Sequence, residues 1–255
     1  MNYLKERIEL CAVFRWIAKL NMHESVVNHF SCAVGDDRRY FLINPGGLHF
    51  SLMKASDLIL IDTQNIEKSI NELEEDHKPL ITALDVHSNI HKTVNNAVCV
   101  LHVHSKFATA ISTIKNQKNK DSNWAGYLPP IDQNTMRFYE RIAIDKDYGG
   151  LAKGDEAVRL ANQIKDKNIL LLGHHGVLVI GKSIAKAFDD LYYFEKACET
   201  YVTALSMGKE LEILPHEVAE KTAKQWESFK PENIAELHLK SIIKILEKED
   251  NSFKH

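Results

Sequence analysis

The sequence predicts a mixed α/β domain in which helices pack in layers on a largely antiparallel sheet. Two observations carry this. Short runs of β-branched and apolar residues alternate with segments of helical periodicity, in the order helix, several strands, helix, strand, helix, strand, helix. The strands also come in pairs joined by tight turns, HFSCAV-GDDR-RYFLIN early and NILLLGHHGVLVIG late, and such short connections join antiparallel neighbours. A chain of 255 residues is long enough to bury one substantial core.

Taken in order, residues 3–20 place Leu4, Ile8, Cys11, Ala12, Phe14 and Ile17 at spacings of three and four, which predicts an amphipathic helix. The hairpin HFSCAV-GDDR-RYFLIN ends in the turn NPGG, and Leu58–Ile61 gives another short strand. Residues 64–78, rich in Asn, Glu, Asp and Lys, read as a surface loop, and 115–123 as a second. Between them ITALDVHSNIHKTV predicts a helix feeding the strand AVCVLHV. Residues 155–166 give a further helix, KNILLLGHHGVLVIGKS a strand, a two-histidine turn and a strand, and SIAKAFDDLYYFEKACETYVTALSMGK a long amphipathic helix closing the core. Its Tyr192, Tyr193 and Phe194 read as core or subunit contacts. The last forty or so residues read as two peripheral helices, with Pro231 opening the second. A main domain over 1–225 and a C-terminal helical extension over 226–255 are expected.

A hydrophobic content of 44%, a charged content of 26% and a net charge of -3 exclude a disordered chain and a polycation, so nucleic acid is not an expected partner. Cys11, Cys32, Cys99 and Cys198 are widely spaced among apolar neighbours, which predicts reduced, buried thiols and a cytoplasmic location. Glu6 and Glu9 interrupt the apolar pattern of the N-terminus, unlike a signal peptide, and no apolar run approaches the ~20 residues of a membrane span.

The chemistry concentrates on histidine. In NAVCVLHVHSKFATA a strand puts His102 and His104 on one side, about 6.6–6.8 Å apart along the chain. Alone, the pair fits core packing as well as a metal. In LLLGHHGVLVIG, His174 and His175 lie in a glycine-flanked turn between two very apolar strands, so a third imidazole at a strand end becomes available. Three imidazoles with an open fourth position suit a catalytic divalent ion rather than a closed structural site, which would usually recruit cysteine. A cupin-like or metallo-β-lactamase-like arrangement would need carboxylates after the pair, where this chain has Ser105, Lys106 and Phe107. Asp85, His87 and His91 stand on or near one predicted helix, with the two histidines at i, i+4; one of them could supply a base or a fourth ligand, or all could be packing and surface residues.

LHVHSKFATAIS, the HHG turn with its apolar strand and Gly181, and KAFDDLYYFEKACETYVTALS together resemble the class II aldolase/adducin superfamily, and the similarity runs from about residue 5 to about residue 222 through NHFSCAV, FLINPGGLHF and ASDLILID. The resemblance implies an αβα sandwich around a central, mainly antiparallel sheet, assembled as a homo-oligomer, usually a tetramer with sites at subunit borders. By analogy with the metal-dependent members, fuculose-phosphate aldolase among them, it implies His102, His104 and His175 as ligands of a divalent metal, Zn²⁺ first, with Fe, Mn or Co also compatible. Those members carry a Glu nineteen positions before the first ligand; here that position is Ala83, as in the adducin-like branch. Their anion-binding loops correspond to Asn28-His29-Phe30-Ser31, Gly46-Gly47 and Ile81-Thr82, which keep few of the expected hydroxyls, so Asn28, His29, Ser31, Gly46 and Thr82 are candidate contacts for a non-phosphorylated substrate. A catalytic tyrosine of fuculose-phosphate aldolase falls near Gln133, leaving His174, Asp85 and Gln133 as candidates for proton transfer.

The expected function is a metal-dependent, aldolase-type lyase that cleaves a small hydroxy-carbonyl compound through an enediolate. An epimerase, dehydratase, decarboxylase or iron oxygenase would use the same site. An adducin-like binding or scaffold protein is the alternative from another class.

Overall fold

Apolar residues at spacings of three and four bury one face of α1 (Leu4–Lys19) through Leu10, Cys11, Phe14 and Ile17, as the sequence predicts. The computed structural model describes residues 1–115, 128–147, 149–150 and 154–255. The strands β1 (His29–Val34), β2 (Tyr40–Ile43) and β3 (Ile59–Asp62) follow, then α2 (Ile66–Asn71), α3 (Ile81–Thr93), β4 (Cys99–Val103) and α4 (Lys106–Ser112). Next come α5 (Gln133–Arg137), β5 (Ile142–Asp145), α6 (Asp155–Ile164), β6 (Ile169–Leu172), β7 (Gly176–Gly181), α7 (Ile184–Ser206), α8 (His216–Ser228) and α9 (Pro231–Glu249).

The strands form one seven-stranded sheet in the order β3-β2-β1-β4-β7-β6-β5. Neighbours are antiparallel except β5 and β6, which run parallel. Alternation decides which side chain meets which layer. Cys99, Leu101 and Val103 of β4 join Val177 and Val179 of β7 against α1, α4, α7 and α9. Val100, Leu170, Leu172, Leu178 and Ile180 face the other way, onto Val86 and Ile90 of α3 and Leu160 of α6. Helices therefore cover both faces, the αβα sandwich expected from the resemblance. His102 alternates with Leu101 and Val103 and so falls on the α3/α6 side.

Several sequence expectations change. The stretch 64–78 is not a bare loop: it holds α2 and a single 3-10 turn at Glu75–His77, because Ile66 and Ile70 pack onto the outer strands. β5 and α5 were not expected; the strand is four residues long, lies at the sheet edge and shows only Ile142 and Ile144 as strong apolar signals. α9 is not peripheral, since Ala235, Leu239, Ile242 and Leu246 are buried in the same core as α1 and α7. In the expected loop 115–123, positions 116–123 lie outside the described residues. All four cysteines are free and buried, and no helix among the described residues is long and apolar enough to cross a membrane.

Two polar devices hold the helices in register. The Glu195 carboxylate on α7 accepts from the Ser105 hydroxyl at 2.6 Å and from the Phe107 and Ala108 amides at 2.8 and 3.0 Å, satisfying the open N–H groups at the start of α4 just beyond β4. At the far end of α7, the Arg137 guanidinium donates to Asp189 at 2.6 Å and Asp190 at 2.8 Å, and packs over the Tyr193 and Trp226 rings. His238 of α9 meets the second oxygen of Asp189 at 2.9 Å. One cation thus ties α5, α7, α8 and α9 together.

Candidate metal centre

β4 and β7 pair so that His102 lies opposite Leu178, and the turn before β7 folds His175 back over the end of β4. A Cβ on Gly176 would lie 2.5 Å from the Val103 carbonyl oxygen and 3.1 Å from the His104 ring, so this close approach requires glycine. The three imidazoles converge. Nε2 of His104 is 3.0 Å from Nε2 of His102 and 3.0 Å from that of His175, and the remaining edge of the triangle is 3.2 Å. Among the described residues they form a set of three ligand atoms with the spacing to hold a metal ion.

The outer nitrogens say what the inner ones are. Nδ1 of His102 lies 3.0 Å from the Val177 carbonyl, which only accepts, so Nδ1 carries the proton and Nε2 a lone pair. Nδ1 of His104 donates to the Glu24 carboxylate, which in the neutral, ligating ring leaves Nε2 as the lone pair too. Two lone pairs therefore face each other at 3.0 Å, an arrangement that a shared cation turns from repulsive to favourable. Tetrahedral zinc with Zn–N bonds of about 2.0–2.1 Å separates its ligands by about 3.3–3.4 Å, a few tenths of an ångström from the observed triangle. The residues present fit a divalent ion. Burial, followed by the charges of neighbouring imidazoles, pushes His102 well below its ordinary value, and burial pushes His175 down to about 4, with His104 adding and Glu24 opposing; both rings are held in the neutral, ligating form.

The triangle stands in the wall of a cavity of about 230 Å³ whose other walls include Val27, Leu80, Val86, Leu160, Leu172 and Leu178. A larger cavity, about 520 Å³, opens around Arg137, Lys182 and Trp226 beyond the other ends of β6 and β7, remote from the imidazoles, and is lined by charges of both signs.

Of the candidate substrate contacts, His29 and Thr82 line the smaller cavity. Ser31 is fully buried and bonded to His87 and His91 instead. Asn28 is fully buried, its Oδ1 accepting from the Glu24 amide at 2.6 Å, so it braces the turn that carries Glu24; its Nδ2 finds no acceptor among the described residues. Gly46 donates its amide to Lys78 O at 2.9 Å and stands against Leu80, behind the cavity wall. Of the proton-transfer candidates, none lines the cavity. His174 is exposed on a left-handed backbone, φ 58°, and stands outside the set of three converging nitrogens. Gln133 is exposed on α5, and Asp85 is half-buried on α3. Ala83 is buried among Phe41, Ile43 and Leu84, so no carboxylate stands at the position the resemblance assigns to Glu.

Sequence reasoning missed Glu24. It lies eighty positions from its partner His104 and only the pairing of β1 with β4 brings them together. Replacing it by Gln is expected to weaken Zn²⁺ binding by about 10–100-fold without unfolding the protein, because an acceptor remains but its charge does not. Competition against a chelator checks this; unchanged affinity would contradict the role.

His87 and His91 are also buried, and burial pushes His91 down to about 4 against the opposing effect of the Ala97 carbonyl. The unfolded chain protonates this ring near the ordinary value of 6.5, so between the two values the unfolded state binds more protons and stability falls as pH drops. The expected loss from His91 alone is on the order of 3 kcal/mol by pH 4, with His29 and His87, both held well below normal by burial first, adding to it. Denaturant titrations of chelator-treated protein at pH 7 and 4.5 measure it; equal stabilities would be inconsistent with neutral buried rings.

Fold and site together define an αβα protein with a three-imidazole candidate metal centre at the sheet end. Residues 8–202 match the family described as Class II Aldolase and Adducin N-terminal domain, and the chain belongs to that family. A Caulobacter vibrioides protein named for aldolase class 2 is 28% identical over 217 residues, 84% of this chain and 78% of its own. Decarboxylase NovR of Streptomyces niveus is 28% identical over 196 residues, 74% of this chain and 67% of its own. The crystal structure of an aldolase II superfamily protein from Pseudomonas syringae superposes with a TM-score of 0.84 at 29% identity, covering 99% of this chain and 96% of that one. Class II aldolases generally use a divalent metal, and members of the superfamily bind small-molecule substrates and often form oligomers.

Proposed function

We propose that this chain is a metal-dependent lyase of the aldolase type, acting on a small, non-phosphorylated hydroxy-carbonyl compound. The observation that carries this reading is the pair of lone pairs on His102 and His104 facing each other at 3.0 Å beside His175, at the wall of a cavity. His102, His104 and His175 would hold the ion, Zn²⁺ by the all-nitrogen, neutral donor set, with Fe, Mn or Co as other occupants. When bound it supplies Lewis-acid polarisation of a carbonyl oxygen and stabilises the charge released when a neighbouring bond breaks. The chain's own residues do the rest. Glu24 and the Val177 carbonyl would orient the ligand rings, the leucine and valine walls would exclude water, and Thr82, which lines the cavity, would orient a substrate oxygen.

No arginine or lysine lines this cavity among the described residues, which supports a substrate without phosphate. Decarboxylation at the same site is the second reading, favoured by the similarity to the Streptomyces niveus decarboxylase. The four free thiols support a reducing, cytoplasmic setting, and a homotetramer is proposed from the family resemblance. Turnover of hydroxy-acids and of sugars with and without phosphate, assayed on Zn²⁺-loaded protein, tests the proposal. Cleavage of an unphosphorylated hydroxy-carbonyl compound supports it; a clear preference for the phosphorylated sugars overturns the substrate class, and stoichiometric metal with no turnover of any kind favours a scaffold.

A further inference from the structure

The family's Glu position is Ala83, and among the described residues no carboxylate lines the cavity, the Glu24 carboxylate being held on the outer nitrogen of His104. It does have a fourth histidine. His29, on β1 directly opposite His102, lines the cavity, and its ring centroid lies 4.8 Å from that of His102, yet it stands outside the set of three converging ligands. Behind it runs a chain of hydrogen bonds into the α3 layer. Nδ1 of His29 lies 2.7 Å from Nε2 of His87, Nδ1 of His87 meets the Ser31 hydroxyl, and that hydroxyl lies 2.7 Å from Nε2 of His91. Nδ1 of His91 ends the chain 2.9 Å from the Ala97 carbonyl.

A carbonyl oxygen only accepts, and this fixes every proton behind it. His91 donates from Nδ1, so in the neutral ring Nε2 accepts from the Ser31 O–H. With its single proton spent, Ser31 accepts from His87 Nδ1, and His87 Nε2 accepts from His29 Nδ1. The opposite polarity would leave two acceptors, His91 Nδ1 and the Ala97 oxygen, facing each other at 2.9 Å.

We propose that His29 is the proton acceptor of this site, with His87, Ser31 and His91 as positioning residues that leave the His29 Nε2 lone pair on the cavity side. This deepens the proposed function and rests on it. In the step assigned to it, an O–H or C–H bond of the substrate breaks, the proton passes to His29 Nε2, and the electron pair stays on the substrate as alkoxide or enolate. The imidazolium keeps its Nδ1–H on His87 and returns the Nε2 proton to the product, so the enzyme ends unchanged.

The test reads histidine tautomers by ¹⁵N NMR in the full chain, metal-free and Zn²⁺-loaded, and the hydrogen–deuterium exchange of dihydroxyacetone in D₂O. The expected result is the Nδ1–H tautomer at His29, His87 and His91. Ser31→Ala removes the link, and His87 and His29 are expected to switch to Nε2–H while Ser31→Thr, which keeps the hydroxyl, retains the original pattern. Exchange by His29→Asn is expected to fall by about 10²-fold or more, and by Ser31→Ala by a comparable factor, with metal uptake unchanged in both. An Nε2–H tautomer at His29 in the wild-type protein, or exchange by His29→Asn within a few-fold of wild type, overturns the assignment. Failure of the wild-type protein to take up metal would instead remove the proposed function, leaving the tautomers to decide the hydrogen-bond chain on their own.

Discussion

Replacing His102 by alanine is expected to abolish tight Zn²⁺ binding and all turnover while the protein stays folded, and His175→Ala is expected to do the same at lower cost in stability. Apparent zinc affinities of about 10–16 kcal/mol for complete sites imply about 3–4 kcal/mol per ligand, on the order of 10²–10³-fold in affinity for each imidazole removed. The two variants differ in what else they disturb. His102 is buried at 4% exposure, and its loss removes both packing volume and the bond from Nδ1 to the Val177 carbonyl, a cost of about 1–3 kcal/mol. His175 is half-buried in a turn, so its truncation leaves less behind. Calorimetric zinc titration beside a thermal melt separates the two effects, and retained one-to-one binding in both variants would dissolve the site.

The second large effect lies at the opposite end of the molecule and concerns stability alone. Arg137→Ala is expected to destabilise the protein by about 3–5 kcal/mol, because it strands two buried carboxylates. Asp189 and Asp190 are 1% and 3% exposed. His238 and Lys186 remain to meet one oxygen of each, but the oxygens that faced the guanidinium lose their donors. Stacking on Tyr193 and Trp226 goes with it, loosening α5 and α8 from α7. Because the cluster sits far from the imidazoles, zinc affinity of the folded variant is expected to match wild type. Chemical denaturation measures the loss; a change below about 1 kcal/mol would show that the network carries little of the packing.

Much of this architecture can be read from the chain alone because it is local. The 3.6-residue pattern of α1, the paired runs around GHHG and the His-x-His strand end each announce themselves within a dozen residues. Even the convergence of His102, His104 and His175 follows once β4 and β7 are recognised as strands ending at the same edge of the sheet. What sequence could not show depends on register. Glu24 reaches His104, and Ser31 lands between His87 and His91, only because β1 pairs with β4 and α3 crosses beneath them. The two histidines of α3, spaced i, i+4, read from the sequence as packing, a base or a fourth ligand, and their hydrogen-bond direction exists only against the Ala97 carbonyl. β5 stayed hidden for another reason: four residues at an edge, with apolar signals at only two of them, give periodicity too little to work on.

The central claim is that three imidazoles share one cation with room for an incoming oxygen. X-ray absorption at the zinc edge, on protein loaded with one equivalent, reads this directly. The expected spectrum has three imidazole nitrogens at about 2.0–2.1 Å and one or two further light-atom neighbours. A first shell containing sulfur, or fewer than three imidazoles, would contradict the claim.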